Sequence, residues 1–138
     1  MWLLIVLLYA DHYQPPAAAV ATCKASVFAQ PGDKYAGGAS RWLKREVHHT
    51  DSGIAHRSYP LGSWVEIRNL RTGRMVETQV IDRGPYGAMH KGRWIIKKRP
   101  SDPGRWRGCA DLTPPVAKKI GHNGFERISI VRISPPTS

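Results

Sequence analysis

Residues 63–82, SWVEIRNLRTGRMVETQVID, carry two stretches of period-two alternation separated by a turn sequence. Val65 and Ile67 alternate with Trp64, Glu66 and Arg68, and Val76, Thr78 and Val80 alternate with Glu77 and Gln79. Successive side chains of a strand point to opposite faces, so each run has one apolar face, and Gly73 in the NLRTGR segment is available for a positive φ. The expected structure is a β-hairpin with one buried face. Glu66 and Glu77 fall on its outward face, where cross-strand pairing with Arg68 or another basic residue would account for them.

The second strand of this hairpin runs into VIDRGPYG, residues 80–87. Gly84 and Pro85 can turn the chain without help from Asp82. A carboxylate directly after an apolar strand is therefore either an Asx side chain serving the turn or a group held for proton transfer.

Outward from the hairpin, CKASVFA near the start and RISIVRI from Arg127 to Ile133 read as further strands, and GRWIIKK as another. The stretch from Gln30 to Gly53 has little periodicity and reads as loop, with room for one short helix near Arg41 to Glu46. DLTPPVAKKIGHNG has helix grammar: Thr113 as N-cap, Pro114 at the first position, Lys118 and Lys119 in the last turn, and Gly121 after the end. Thirteen Gly and eleven Pro among short apolar runs argue against a helical bundle. A length of 138 residues suits one small domain. The expected class is all-β with one or two short helices.

The formal net charge is +11. Such a surface favours a polyanionic partner, whether nucleic acid, anionic lipid or an acidic cell-wall polymer, and charge alone does not choose among them. Residues 2–10 form an apolar block of signal-peptide length, too short to span a bilayer, and Ala19-Val20-Ala21 supplies a small-x-small cleavage pattern. The expected organisation is a signal peptide over residues 1–21, a domain over 22–134 and a tail over 135–138, with export to the periplasm or the exterior. Thr22 before Cys23, and the distance from the apolar block, argue against lipoprotein processing at VATC. Cys23 and Cys109, in an exported domain, are most simply a disulfide closing a long loop, the alternative being two separate buried thiols. His48, His49, His56, His90 and His122 show neither His-x-x-x-His spacing nor a Cys/His knuckle, so no metal or cofactor is expected.

The run GIAHRSYPLGSWVEIRNLRTGRMVETQVIDRGPYG, followed by DLTPPVAKKIG and a closing strand, resembles the RlpA-like (rare lipoprotein A) double-psi β-barrel domain. Four motifs carry the resemblance in order: Ala-His-Arg with Pro-Leu-Gly, the hairpin, Asp-Arg-Gly-Pro, and the Asp-Leu-Thr helix start. It implies a closed six-stranded barrel and, from characterised relatives, lytic transglycosylase activity on the glycan strands of peptidoglycan. The runner-up is a non-catalytic, expansin-like wall-binding barrel. Neither reading needs a nucleic-acid partner or a membrane span, and a monomer is expected.

Breaking a glycosidic bond requires protonation of the leaving oxygen, by a carboxylic acid kept protonated through partial burial. Hydrolases usually pair two carboxylates across the bond. A lytic transglycosylase can use one, because the sugar's own 6-hydroxyl attacks the anomeric carbon and the same carboxylate takes that proton, leaving a 1,6-anhydro ring. Asp82 is the candidate acid and base. By the resemblance, His56 would lie in the same groove and tune it, and Glu46 stands where relatives often carry a Glu about ten residues before that His.

Arg83 either binds a substrate carboxylate or N-acetyl oxygen or braces the turn. Arg57, beside His56, is a further candidate substrate contact. The segment YGAMHKGRWIIKKRPSDPGRWRGCA, residues 86–110, is longer than in ordinary relatives, and its Trp94, Trp106, Lys and Arg residues suit stacking and charge pairing with anionic N-acetyl sugars. A basic flap over the barrel edge is the plainer account of the same segment.

Overall fold

Six strands of the protein close into a barrel in the order β1 (Ala21–Val27), β10 (Ala110–Leu112), β4 (Ile54–His56), β6 (Met75–Asp82), β5 (Trp64–Asn69), β11 (Phe125–Ile133). The computed structural model describes residues 19–33 and 38–136. The expected leader over residues 1–21 lies almost entirely outside them. No helix among the described residues is long and apolar enough to cross a membrane.

The hairpin of β5 and β6 forms as its alternation requires, antiparallel, with Val65 opposite Thr78 and Ile67 opposite Val76. Val65, Ile67, Thr78 and Val80 are buried. The register also sets Glu66 opposite Glu77, and Arg68 opposite Met75. The expected Glu–Arg pairing across this ladder is thus corrected: Arg68 reaches back to the Gly73 carbonyl at 2.9 Å, on the turn of its own hairpin.

Around the hairpin the pairing is non-local. β11 lies antiparallel to β5 on one side and to β1 on the other, while β1 is parallel to β10 and β4 parallel to β6. The core is aliphatic, with Ile54, Ile67, Leu112, Ile128 and Ile130 among its fully buried side chains. Helix α1 (Pro114–Lys119) adds Val116 and Ala117 to it, and Ile120 follows at the helix end. Thr113 precedes α1 but makes no side-chain cap; its hydroxyl accepts from the Gly53 amide at 3.1 Å and ties the helix start to the approach of β4. Asn69, fully buried, donates to the Ile120 carbonyl and to Glu126 and accepts from the Arg71 and Thr72 amides. One side chain thereby joins the hairpin turn, the end of α1 and β11.

Residues 41–44 form a turn, not the short helix allowed for near Arg41 to Glu46, and lead into β3 (Arg45–Glu46), which pairs with β2 (Ala39–Ser40). The Ser40 hydroxyl explains the difference: it bonds the Ile81 carbonyl and accepts from the amides of Trp42 and Leu43, fixing a tight loop against β6. At Gly62, with φ of 84°, an added Cβ would lie 2.4 Å from the Trp42 ring, so that loop also needs a residue without a side chain beneath it.

The long segment 86–110 builds its own antiparallel sheet, in the order β8 (Arg93–Ile96), β7 (Gly87–His90), β9 (Arg105–Trp106). The GRWIIKK run is therefore a strand, but outside the barrel. Lys97 is buried there because its ammonium donates to the carbonyls of Pro100 and Asp102.

Cys23 on β1 and Cys109, directly before β10, form a disulfide with a sequence separation of 86 residues. A cross-link over so long a loop removes much freedom from the unfolded chain. The double substitution Cys23→Ser, Cys109→Ser is expected to destabilise the domain by about 2–5 kcal/mol, read as an earlier midpoint in urea unfolding.

Candidate functional site

Strand β4 is the shared neighbour on which the site is built. Ala55 is register partner to Asp82 on β6 and to Asp111 on β10, so one row across three strands reads Asp111, Ala55, Asp82. At two strand spacings their backbones are roughly 10 Å apart. The register between β4 and β6 shifts by one residue here, since Ile54 pairs with Val80 and Ala55 with Asp82. The extra residue, Ile81, is buried in a small side cluster with Ala29 and Val47. A bulge of this kind re-aims the end of a strand and is common beside functional sites.

Asp82 is half-buried and opens onto a cleft of about 420 Å³, bordered by Ala39, Arg41, Arg57, Leu61, Arg83 and Tyr86. Its Oδ1 accepts the Arg83 amide at 2.9 Å, so one oxygen does serve the turn. Burial nevertheless pushes its carboxyl above the usual carboxylate range, opposed by the Arg83 amide and guanidinium. Gly84, with φ of 127°, and Pro85, after a cis peptide bond, carry the turn itself.

In the sequence Asp111 reads only as part of a helix start. Its importance lies in a register that local pattern does not encode. It sits deeper than Asp82, accepts the Ser26 hydroxyl at Oδ1, and is also pushed up, first by burial. The Ser26 bond and the Arg57 charge oppose that shift, while the Asp82 charge adds to it. The Asp82 charge thus favours a proton on Asp111, the more deeply buried of the two carboxyls.

His56 is turned to structural use on one side: its Nδ1 accepts the amides of Ser58 and Tyr59 at 3.1 and 3.0 Å, and its ring stacks on Tyr59 at 3.8 Å. Burial, then the charges of Arg57 and Arg83, bring its pKa down to about 4. At neutral pH it is an uncharged imidazole with hydrogen on Nε2. Arg83 donates to the carbonyls of His56 and Tyr59, which is the bracing role, while its side chain also borders the cleft. Arg57 donates to the carbonyls of Pro85 and Gly108 at 2.6 and 2.7 Å and lies 4.0 Å over the Trp106 ring.

Glu46 stands apart from these groups. It is exposed on β3 and borders a different cleft, with Arg45, His48, Thr50 and Asp51; its register partner Ala39 borders the Asp82 cleft. Trp94 is 61% exposed on β8. Trp106 is part-buried and donates from Nε1 to the Lys97 carbonyl at 2.6 Å.

The raised carboxyl of Asp111 has a stability consequence. Its folded form holds a proton more tightly than the unfolded chain does, so its contribution is favourable at low pH and is lost as pH rises through the folded value. Asp111→Asn, which keeps an oxygen for Ser26, is expected to raise the melting temperature by a few degrees at pH 7 and to leave it unchanged near pH 3. Thermal scans at the two pH values check this.

No protein-family model matches the chain. Among curated proteins, the chain is 41% identical over 99 residues to a protein of Aquifex aeolicus (strain VF5) named "Probable endolytic peptidoglycan transglycosylase RlpA". The match takes in 64% of this chain and 36% of that protein, so the chain spans about a third of the relative's length. The resemblance carried by the sequence motifs stands, and the closed six-stranded barrel fits a double-psi β-barrel.

Proposed function

We propose that the protein is an exported lytic transglycosylase that cuts peptidoglycan glycan strands and leaves 1,6-anhydromuramic ends. The single observation that carries the reading is the row Asp111, Ala55, Asp82, which sets a half-buried carboxyl at the mouth of an open cleft beside a second, deeper one. The similarity to a protein named as a peptidoglycan transglycosylase supports the substrate class. The disulfide supports export, since such bonds persist in oxidising compartments.

In this reaction Asp82, protonated, gives its proton to the glycosidic oxygen as that bond breaks. The muramic 6-hydroxyl then attacks the anomeric carbon and returns its proton to the Asp82 carboxylate, so the enzyme ends as it began and no water is consumed. Asp111 does not touch the sugar; burial and the Asp82 charge favour its own protonated form, so it stands as a deeper neighbour beside Asp82, whose proton is favoured by burial. His56, neutral, is a positioning residue whose ring fixes the strand end behind Asp82. Arg57 and Arg83 border the cleft as cations for the N-acetyl and carboxylate groups of the substrate. Glu46, one strand further out, is at most a contact on the rim.

The second reading, a non-catalytic wall-binding barrel, is favoured by the placement of Glu46 in a separate cleft. Mass spectrometry of digested, peptide-stripped glycan separates the two. Wild type is expected to yield 1,6-anhydro ends, and Asp82→Asn to lose at least about a hundredfold in rate while still pelleting with sacculi. A wild type that binds sacculi but yields no such ends leaves only the wall-binding module.

The alkaline limb of the pH profile also distinguishes roles. Since His56 protonates only near pH 4, turnover is expected to fall on the alkaline side as Asp82 loses its proton, with no limb near the ordinary histidine value of about 6.5. His56→Asn is expected to lower kcat without moving the alkaline limb, and Asp111→Asn to leave that limb in place, since burial and Arg83 are what shift Asp82.

A further inference from the structure

The sheet of β7, β8 and β9 carries an exposed apolar face. One register row across its three strands reads Trp94, Met89, Arg105; in the next, Gly87 is partner to Ile96, and its carbonyl accepts the Arg107 amide at 3.0 Å. Side chains opposed in a ladder share a face, so Trp94, Ile96, Met89, Arg105 and Arg107 stand on the same side. Ile96 is 66% and Met89 37% exposed, and a Cβ on Gly87 would meet nothing within 4 Å, so the centre of the face is open. The other face is the packed one: Ala88 is buried, and Trp106 lies under Arg57 and donates to the Lys97 carbonyl.

Cations frame the apolar strip. Segment 86–110 holds seven Lys and Arg residues and one carboxylate, Asp102. Lys91 and Arg93 stand exposed at one end of β8, and Lys98 and Arg99 at the other. Asp102 answers to its own loop: it accepts the amides of Lys98 and Arg99 at 3.1 and 3.0 Å, and its charge faces Arg99 and the buried Lys97. Arg107 is stacked over Phe125, and Asp111 offsets part of its charge. Neither ion pair among the described residues, Arg45 with Asp51 or Arg71 with Glu126, includes a residue of this sheet. Trp94, Ile96 and Met89 are thus set in a surface of excess positive charge.

We infer that this outer sheet is a docking face for an anionic phospholipid bilayer, holding the barrel at a membrane surface without a span. Charge complementarity and side-chain type select that occupant. Aliphatic side chains reach the acyl boundary, an indole rests at headgroup level, and each Lys or Arg near an anionic surface contributes about 1 kcal/mol. A second copy of the chain is repelled, since each carries a net charge of +11. A sugar chain suits the face poorly, because Trp94, Ile96, Met89, Arg105 and Arg107 offer no side-chain oxygen to receive its hydroxyls. Docking of this kind does not depend on the reaction at Asp82, and each can fail without the other.

The test uses the full chain with phosphatidylcholine vesicles, with and without phosphatidylglycerol. Trp94→Gln with Ile96→Gln removes apolar surface and keeps the charge; Arg93→Gln with Lys98→Gln does the reverse. All four side chains are exposed, so both variants are expected to keep the wild-type midpoint in urea. Wild type is expected to co-sediment at least about tenfold more tightly with the anionic vesicles than with the neutral ones, and to have its tryptophan fluorescence quenched by bromine-labelled acyl chains. The apolar variant is expected to lose about tenfold in binding together with the quenching. The charge variant is expected to lose about tenfold at low salt and to show a weaker salt dependence.

Equal binding of wild type to both kinds of vesicle would overturn the docking face. So would an apolar variant that binds anionic vesicles as wild type does, since adsorption is then a matter of net charge alone. An apolar variant that keeps vesicle binding and loses pelleting with sacculi would assign the face to glycan and equally overturn the lipid reading.

Discussion

Closure of the barrel through β1 is the constraint on which the rest depends. That strand pairs antiparallel with β11 and parallel with β10, so it joins the two ends of the strand order. Without it β10 would be an edge, and Asp111 would lose the Ser26 hydroxyl from β1. The disulfide spans the same seam, and the Cys109 amide donates to the Lys24 carbonyl at 3.0 Å beside it. The covalent link and the ladder hold one joint, and the carboxyl environment is a property of that joint.

Where sequence and structure agree, the information was local. The β5–β6 hairpin follows from alternation over adjacent runs, and α1 from the order Thr113, Pro114, Lys118, Lys119, Gly121. Asp82 stood out because Gly84 and Pro85 already explained the turn. The motif order also carried the barrel, through resemblance. What stayed hidden was set by pairing between distant residues: the parallel ladders β1 with β10 and β4 with β6, the facing of Glu66 by Glu77, and the place of Asp111 beside Ala55. Periodicity says which face a residue takes within its own strand. It says nothing of the neighbour across a gap of dozens of residues.

Two arginines illustrate how one side chain can answer to both structure and site. Arg83 spends its guanidinium on the carbonyls of His56 and Tyr59, and so ties the turn after β6 to the segment after β4. Arg57 does the same for Pro85 and Gly108, joining the Asp82 turn to the approach of β10. In each, the charge that faces the cleft is anchored by the backbone it braces. Such anchoring lowers the conformational cost of engaging an anion, and the two charges add to burial in lowering the pKa of His56 between them.

The sheet of β7, β8 and β9 satisfies its own hydrogen bonds, and its sharp inner loop is closed by Lys97 on two carbonyls of the same segment. No strand of it enters the barrel order. Length and side chains in this segment are therefore free to change without reopening the barrel, provided the stack of Arg57 on Trp106 is kept. Two guanidiniums make the junction between this segment and the barrel, Arg57 stacked on Trp106 and Arg107 on Phe125 of β11, so variation in the outer sheet is confined to what those two stacks leave free.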